Sequence, residues 1–321
     1  MNPEPLNVYC VRNPYLATAK VITDTSGIKI SKELYPFKGF YLTLNGLRYH
    51  YLDEGGGDPV VMVHGNPTWS FYYRGLVNAL KDSCRTIVPD HMGCGFSDKP
   101  DDSLYDYTLA RRVDDLEALL EHLGIDDHIT LVLHDWGGMI GMAYAVRHPL
   151  SIARFIVLNT TAFHKPNEKP FPWLLWLCRD TALGAFMVRR FNTFSRVAAR
   201  MCCARSPMPK QVREAYCAPY EENSIATLRF VQDIPLRPGD RSYDIVTRVQ
   251  ENLSRFSHLP MLICWGEKDF VFDKHFLREW RHLFPRAEVH SFPGCGHYVL
   301  EDATEEIIGL VQAFLKKHPV N

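Results

Sequence analysis

From residue 39 onward, short apolar runs alternate with longer stretches whose apolar positions recur every three or four residues. GFYLTL (39–44) and LRYHYLDE (47–54) flank Asn45-Gly46, a pair that favours the tight turn of a β-hairpin. PVVMVHG (59–65) and CRTIVPD (84–90) are further apolar runs, separated by a segment of helical character near 70–80. In YTLARRVDDLEALLEHLG (107–124), Leu109, Val113, Leu116, Leu119, Leu120 and Leu123 fall on one helical face, and Gly124 suits the residue that ends it. HITLVLH (128–134) follows, then a helix through Ala145, then ARFIVLN (153–159). Strands buried on both faces read as continuous apolar runs, and their alternation with helices predicts an α/β fold with a mostly parallel sheet.

After Asn159 the texture changes to Pro-, Trp-, Phe- and Arg-rich segments, and strand character returns only at MLICWGEKD (261–269) and AEVHSF (287–292). The pattern predicts a main domain over 36–158 and 256–321, interrupted by a helical cap over 159–255. Residues 1–35 precede the first clear strand and form an N-terminal extension. Being longer than the fold needs, this extension is expected to support self-association into a homo-oligomer.

Charge and cysteine usage narrow the partners. Lys plus Arg number 36 and Asp plus Glu 37, so no bulk charge is available to hold nucleic acid or an anionic surface. The first residues show no basic start followed by an apolar core, and no stretch of about 18 apolar residues occurs, so neither export nor a membrane span is expected. Nine cysteines, odd in number, without a C-x-x-C and mostly within hydrophobic runs, suit reduced core thiols in a cytoplasmic protein better than disulfides or a zinc site. Neither a metal nor a cofactor is implied.

The chemistry centres on LVLHDWGG (131–138), where an apolar strand ends on His134-Asp135-Trp136 and passes at once into a helix. A side chain at such an apex is lifted above the sheet, as in a nucleophile elbow. The tight turn asks for small residues two before and two after; Gly137 meets this and Leu133 departs from it. Asp135 could equally be a helix N-cap, which Asp favours. Two later residues argue for catalysis: Asp269 lies just past MLICWG and His297 just past AEVHSF, giving the chain order nucleophile, acid, histidine.

The stretches HGNPTW (64–69), PDHMGCGFSDKP (89–100), HDWGG (134–138), WGEKD (265–269) and GHYVLED (296–302) resemble the haloalkane dehalogenase family, from about residue 40 to the C-terminus. Its third subfamily, with the related β-lactone decarboxylases of bacterial olefin synthesis, is similar in the cap as well, through FNTFS, APY and FVQDIPL. The resemblance implies an α/β-hydrolase fold, an eight-stranded sheet with the cap inserted after strand 6. It also implies Asp135 as nucleophile, His297 as base, Asp269 as acid, and Asn66 with Trp136 as halide-binding and oxyanion donors. Some members place the acid after the sixth strand, where this chain has the neutral Asn159; an amide cannot balance an imidazolium, so Asp269 takes that part.

A carboxylate is already anionic near neutral pH and can displace a leaving group at saturated carbon, after which His297 would activate water against the resulting ester. The first expectation is therefore haloalkane dehalogenation, with a small apolar substrate and a halide ion as product, because the Asn66 and Trp136 pair is complete. The runner-up is β-lactone decarboxylation to a cis-alkene and CO2. An epoxide hydrolase would need cap tyrosines, for which Tyr216 and Tyr220 are candidates, and a non-catalytic binding protein would be expected to have lost a triad member. Asp90, His91, Gly93, Gly95 and Asp98 are read as a turn shaping the pocket rim, and His134 as structural. In the cap, Phe163, Trp173, Leu183, Phe186 and Phe230 are candidates to line an apolar tunnel, while Arg190, Arg196, Arg200 and Arg205 are read as a solvated helix face.

Overall fold

The computed structural model describes residues 28–320. Eight strands form one sheet: β1 (Phe40–Leu44), β2 (Leu47–Gly55), β3 (Pro59–Val63), β4 (Arg85–Pro89), β5 (Ile129–Asp135), β6 (Ile152–Thr160), β7 (Met261–Gly266) and β8 (Glu288–Phe292). Their order is β1-β2-β4-β3-β5-β6-β7-β8, with only β2 antiparallel to its neighbours. The mostly parallel sheet expected from the apolar runs is thus present. Every residue of β5 and of β7 is buried, which is why these strands carry unbroken hydrophobic sequence instead of alternation.

Within the main domain, α1 (Arg74–Leu80), α2 (Leu109–His122) and α3 (Trp136–Arg147) precede the insertion. Between β6 and β7 come α4 (Trp173–Asp180), α5 (Ala182–Phe191), α6 (Thr193–Met201), α7 (Lys210–Cys217), α8 (Ile225–Gln232) and α9 (Tyr243–Asn252). The chain ends with α10 (Lys274–Leu283), α11 (Val299–Asp302) and α12 (Thr304–Lys317). Helices α2 and α3 pack together, as do α1 and α12, and α9 packs on α3 rather than with α4 to α8. Strand β6 also runs one residue further than the sequence pattern shows, to Thr160.

Gly137, Gly138 and Gly141 let α3 lie close on the sheet: a Cβ at Gly137 would strike the Val63 carbonyl. The same bareness explains Leu133, the residue at odds with a tight elbow. Its methyl group occupies the space that a side chain at position 141 would fill.

Residues 1–27 of the N-terminal extension, and with them most of the segment expected to mediate self-association, lie outside the described residues. Residues 28–35 lie against the main domain. Tyr35 is buried beside Trp69 and Phe96, and its hydroxyl shares a 2.5 Å hydrogen bond with Ser70. The cysteines among the described residues are all free thiols.

Candidate active site

Asp135 ends β5 and precedes α3 with φ 51° and ψ −123°, a backbone conformation that L-residues other than glycine rarely hold and that tends to mark functional sites. The strand's register shifts between His134 and Asp135, and the Thr160 hydroxyl donates to the Asp135 carbonyl, holding the bend. The Asp135 side chain makes no capping bond to α3. It turns instead towards the loop after β3, where the Asn66 N–H donates to Oδ1 at 2.5 Å. Gly65 is needed for this approach, since a Cβ there would collide with the carboxylate.

The other oxygen, Oδ2, lies 3.6 Å from Nε2 of His297. Nδ1 of His297 donates to Asp269 Oδ2 at 2.8 Å, which sets the tautomer: Nε2 of the neutral ring is left bare towards Asp135. The structure therefore brings Asp135, His297 and Asp269 into one line, all three buried. Burial pushes the Asp135 carboxyl above its ordinary range, while His297 and the N–H groups of Asn66 and Trp136 pull it back towards the charged form. Burial alone would lower the His297 pKa, but Asp269 and Asp135 outweigh it and hold the imidazolium above its usual range.

Asp269 is held from several sides. Its Oδ1 accepts from the N–H groups of Val271 at 2.7 Å and Phe272 at 3.0 Å, and its Oδ2 accepts from Asn159 Nδ2 at 3.0 Å. Asn159 also bridges the end of β7, donating to the Gly266 carbonyl at 3.0 Å and accepting from the Gly266 N–H at 2.8 Å. Sequence reading identified Asn159 only as the absence of a carboxylate; its supporting contacts to a turn 107 residues away were not legible. Asn159→Ala strands a buried backbone N–H and should cost about 1–3 kcal/mol in chemical denaturation. Its kcat should also fall, because Asp269 loses a donor on the oxygen that orients His297. A variant as stable and active as the parent would contradict this.

The loop that carries Asn66 has its own support. His64 Nδ1 donates to the Gly65 carbonyl at 2.8 Å, so its Nε2 can accept from the His91 N–H at 3.0 Å. His91 Nε2 in turn donates to the His64 carbonyl at 3.0 Å. Burial lowers the His64 pKa to about 4, so the pair is neutral near pH 7 and fixes the peptide before Asn66. The side-chain nitrogen of Asn66 donates to the Thr227 carbonyl on α8 at 3.0 Å, a partner 161 residues away that no motif announces. Trp136 lies against Phe230, and the Arg112 guanidinium lies 3.6 Å from the Phe230 ring centre and 5.8 Å from that of Trp136.

The residues read as rim-shaping have structural partners. Asp90 is buried, accepting from Ser70 N–H at 2.6 Å and Phe96 N–H at 2.9 Å and lying 2.7 Å from His50 Nδ1. Asp98 pairs with Arg48. His134 stacks on Tyr72, lies tilted against the His297 ring and bonds through Nε2 to the His297 carbonyl at 3.0 Å.

Asn66, Asp135, Trp136 and His297 line one cavity of about 300 Å³ whose remaining walls are largely apolar side chains of the insertion. Of the residues proposed to line a tunnel, Phe163 does so. Trp173, Leu183 and Phe186 instead face outward, Trp173 being 69% exposed, and Phe230 serves as backing for Trp136. Helical spacing told which residues were apolar, but not which side of a thin helical layer met solvent. Tyr216 and Tyr220 do not line the cavity. Their hydroxyls donate to Glu301 at 2.5 Å and to the Thr68 carbonyl at 3.0 Å, so the two donors an epoxide would require are engaged elsewhere.

Comparison with known proteins agrees with this architecture. The family described as the alpha/beta hydrolase fold matches residues 58–304. A cis-3-alkyl-4-alkyloxetan-2-one decarboxylase of Shewanella oneidensis is 59% identical over 284 residues, covering 88% of this chain and 89% of its own. A haloalkane dehalogenase of Mycolicibacterium paratuberculosis is 31% identical over 301 residues, covering 88% of this chain and 95% of its own. The crystal structure of the haloalkane dehalogenase DatA from Agrobacterium tumefaciens is 22% identical and shares the fold with a TM-score of 0.79, over 89% of this chain and 99% of that one. The chain belongs to the α/β-hydrolase family, in the group that takes in the haloalkane dehalogenases and the cis-3-alkyl-4-alkyloxetan-2-one decarboxylases.

Proposed function

We propose that this chain is a β-lactone decarboxylase acting on cis-3,4-dialkyl oxetan-2-ones, with Asp135 as nucleophile. The observation that carries this reading is the 59% identity, over 88% of the chain, to a protein bearing that activity in its name, against 31% to a dehalogenase. The order of the two expectations from sequence is thereby reversed. Dehalogenation stood first because Asn66 and Trp136 form a complete anion-binding pair, yet the carboxylate released from a lactone is an anion that the same donors accept. Engagement of the Asn66 amide by Thr227 also leaves it less free to turn fully towards a halide.

In the proposed reaction, Asp135 Oδ2 attacks the ring carbon that bears the ring oxygen. That carbon–oxygen bond breaks, its electron pair going to the freed carboxylate. The carbon–carboxylate bond then cleaves; its pair becomes the alkene π bond, and the carbon–Asp135 bond breaks to return the aspartate. Inversion in the first step followed by anti elimination in the second delivers a cis-alkene from a cis-lactone. No water or net proton is consumed. The imidazolium of His297 stabilises the aspartate as it departs, and Asp269 orients the ring and balances its charge.

The test is a single turnover of a cis-dialkyl β-lactone in heavy-oxygen water. Expected are a cis-alkene, CO2 and an Asp135 peptide of unchanged mass, because water never attacks the ester. Lactone consumption no faster than by Asp135→Ala, together with bromide release from a 1-bromoalkane, would reject decarboxylation in favour of dehalogenation.

A further inference from the structure

The insertion presents an apolar face with nothing upon it among the described residues. On α4, Trp173 and Trp176 are 69% and 52% exposed. Helix α5 adds Leu183 and Phe186 at 64% and 57%, three residues apart and so on one side. Helices α4 and α5 pack together, as do α5 and α6, so the patch is continuous from one helix to the next. Monomeric proteins seldom expose aromatic side chains in such density without a partner.

Two further observations identify the partner's chemistry. First, the patch reaches the cavity that holds Asp135: Met187 and Val197 line the cavity and are also exposed, at 38% and 42%. Secondly, the charge carried by these helices is predominantly basic. Across 173–201 the chain holds five arginines and a single acidic residue, Asp180, which pairs with Arg179. Arg189, Arg190, Arg196 and Arg200 are exposed; Arg196 pairs with Glu221, whereas neither Arg189 nor Arg190 forms an ion pair among the described residues. The chain as a whole has net charge −1, so this is a local concentration.

We propose that α4, α5 and α6 form a docking surface for an anionic bilayer, with the aromatic side chains entering the headgroup–acyl boundary and the arginines meeting lipid phosphates. Trp, Phe and Leu beside arginines on short amphipathic helices are the composition that binds at a membrane interface without spanning it. Resting on the decarboxylase reading, the surface would let a dialkyl lactone pass from the bilayer into the cavity between Met187 and Val197 without crossing water. A protein partner would also cover aromatics, but would seal the route through which so apolar a substrate must enter.

The full chain, without substrate, is sedimented with vesicles of phosphatidylcholine alone and of phosphatidylcholine with phosphatidylglycerol. Binding is expected to be about tenfold or more stronger on the anionic vesicles and to weaken with salt. Arg189→Glu with Arg190→Glu should lower it by about tenfold or more. Trp173→Ser with Trp176→Ser should lower binding to both vesicle types, while the turnover of a short-chain lactone in detergent stays at the parent rate. Independent of any variant, tryptophan emission of the parent should shift blue and be quenched by brominated lipid. A chain that remains in the supernatant with both vesicle types overturns the proposal. So does sedimentation unaltered in both variants, or a halved solution mass in the tryptophan variant, which would assign the face to a second copy. Vesicle binding is read without lactone, so its failure and that of the decarboxylase reading are separable.

Discussion

Asp135→Asn is expected to abolish lactone turnover, by about 10,000-fold or more, because the neutral amide is nearly isosteric but lacks the anionic oxygen that attacks carbon. The same variant should be more heat-stable than the parent. Burial raises the Asp135 carboxyl above its ordinary value of 3.8, so ionising it costs the folded state stability as pH rises through that raised range. Asn carries no such cost. The melting temperatures should therefore differ at neutral pH and converge as pH falls towards the ordinary carboxylate range. A variant that loses activity but melts lower would mean that the carboxylate serves structure, as a helix cap would. The close bond from the Asn66 N–H cannot serve that purpose alone, since the amide oxygen of Asn would accept it too.

His297→Ala is expected to separate the two chemistries that the group performs. Treated with a 1-bromoalkane, the variant should keep the alkyl group as an ester on Asp135, visible as added mass, because hydrolysis needs a base to activate water and loses about 100- to 10,000-fold without it. Lactone decarboxylation, which passes no water through the site, should slow by only about tenfold, reflecting loss of a cation beside the departing aspartate. The pH profiles should divide in the same way. Asp269, the carboxylate still charged once Asp135 is esterified, favours the imidazolium of His297, so ester hydrolysis in the parent should rise with pH as the ring loses its proton. Lactone loss needs ionised Asp135 and is aided by the imidazolium, so it should not rise over that range and should fall modestly, by no more than about tenfold, as His297 loses its proton. A lactone profile rising in step with hydrolysis, or a His297→Ala variant dead towards lactone, would reject the water-free route.

These expectations rest on geometry that the sequence announced unequally. Apolar runs buried on both faces announced the parallel sheet, since strands such as β5 and β7 must be apolar throughout when helices cover both sides. Asp135, Asp269 and His297 were legible because each sits where a strand stops, positions that bring distant residues to one edge of a sheet. Leu133, which weakened the elbow pattern, proved compatible only because Gly141 on the following helix is bare.

By itself, then, the chain determined the sheet, the order of its strands' chemistry and the identity of the groups that could meet at its edge, because those follow from local periodicity and chain order. Tertiary structure alone decided that Asn159 supports Asp269, that Thr227 holds the Asn66 amide, and that Tyr216 and Tyr220 are engaged away from the cavity. It also decided that Trp173, Leu183 and Phe186 face outward while Phe163 faces the substrate space. The reason is physical: a hydrogen bond between residues more than 100 positions apart leaves no periodic trace in the chain. An apolar side chain on a one-helix-thick layer satisfies the same spacing rule whether it points into a cavity or out of it.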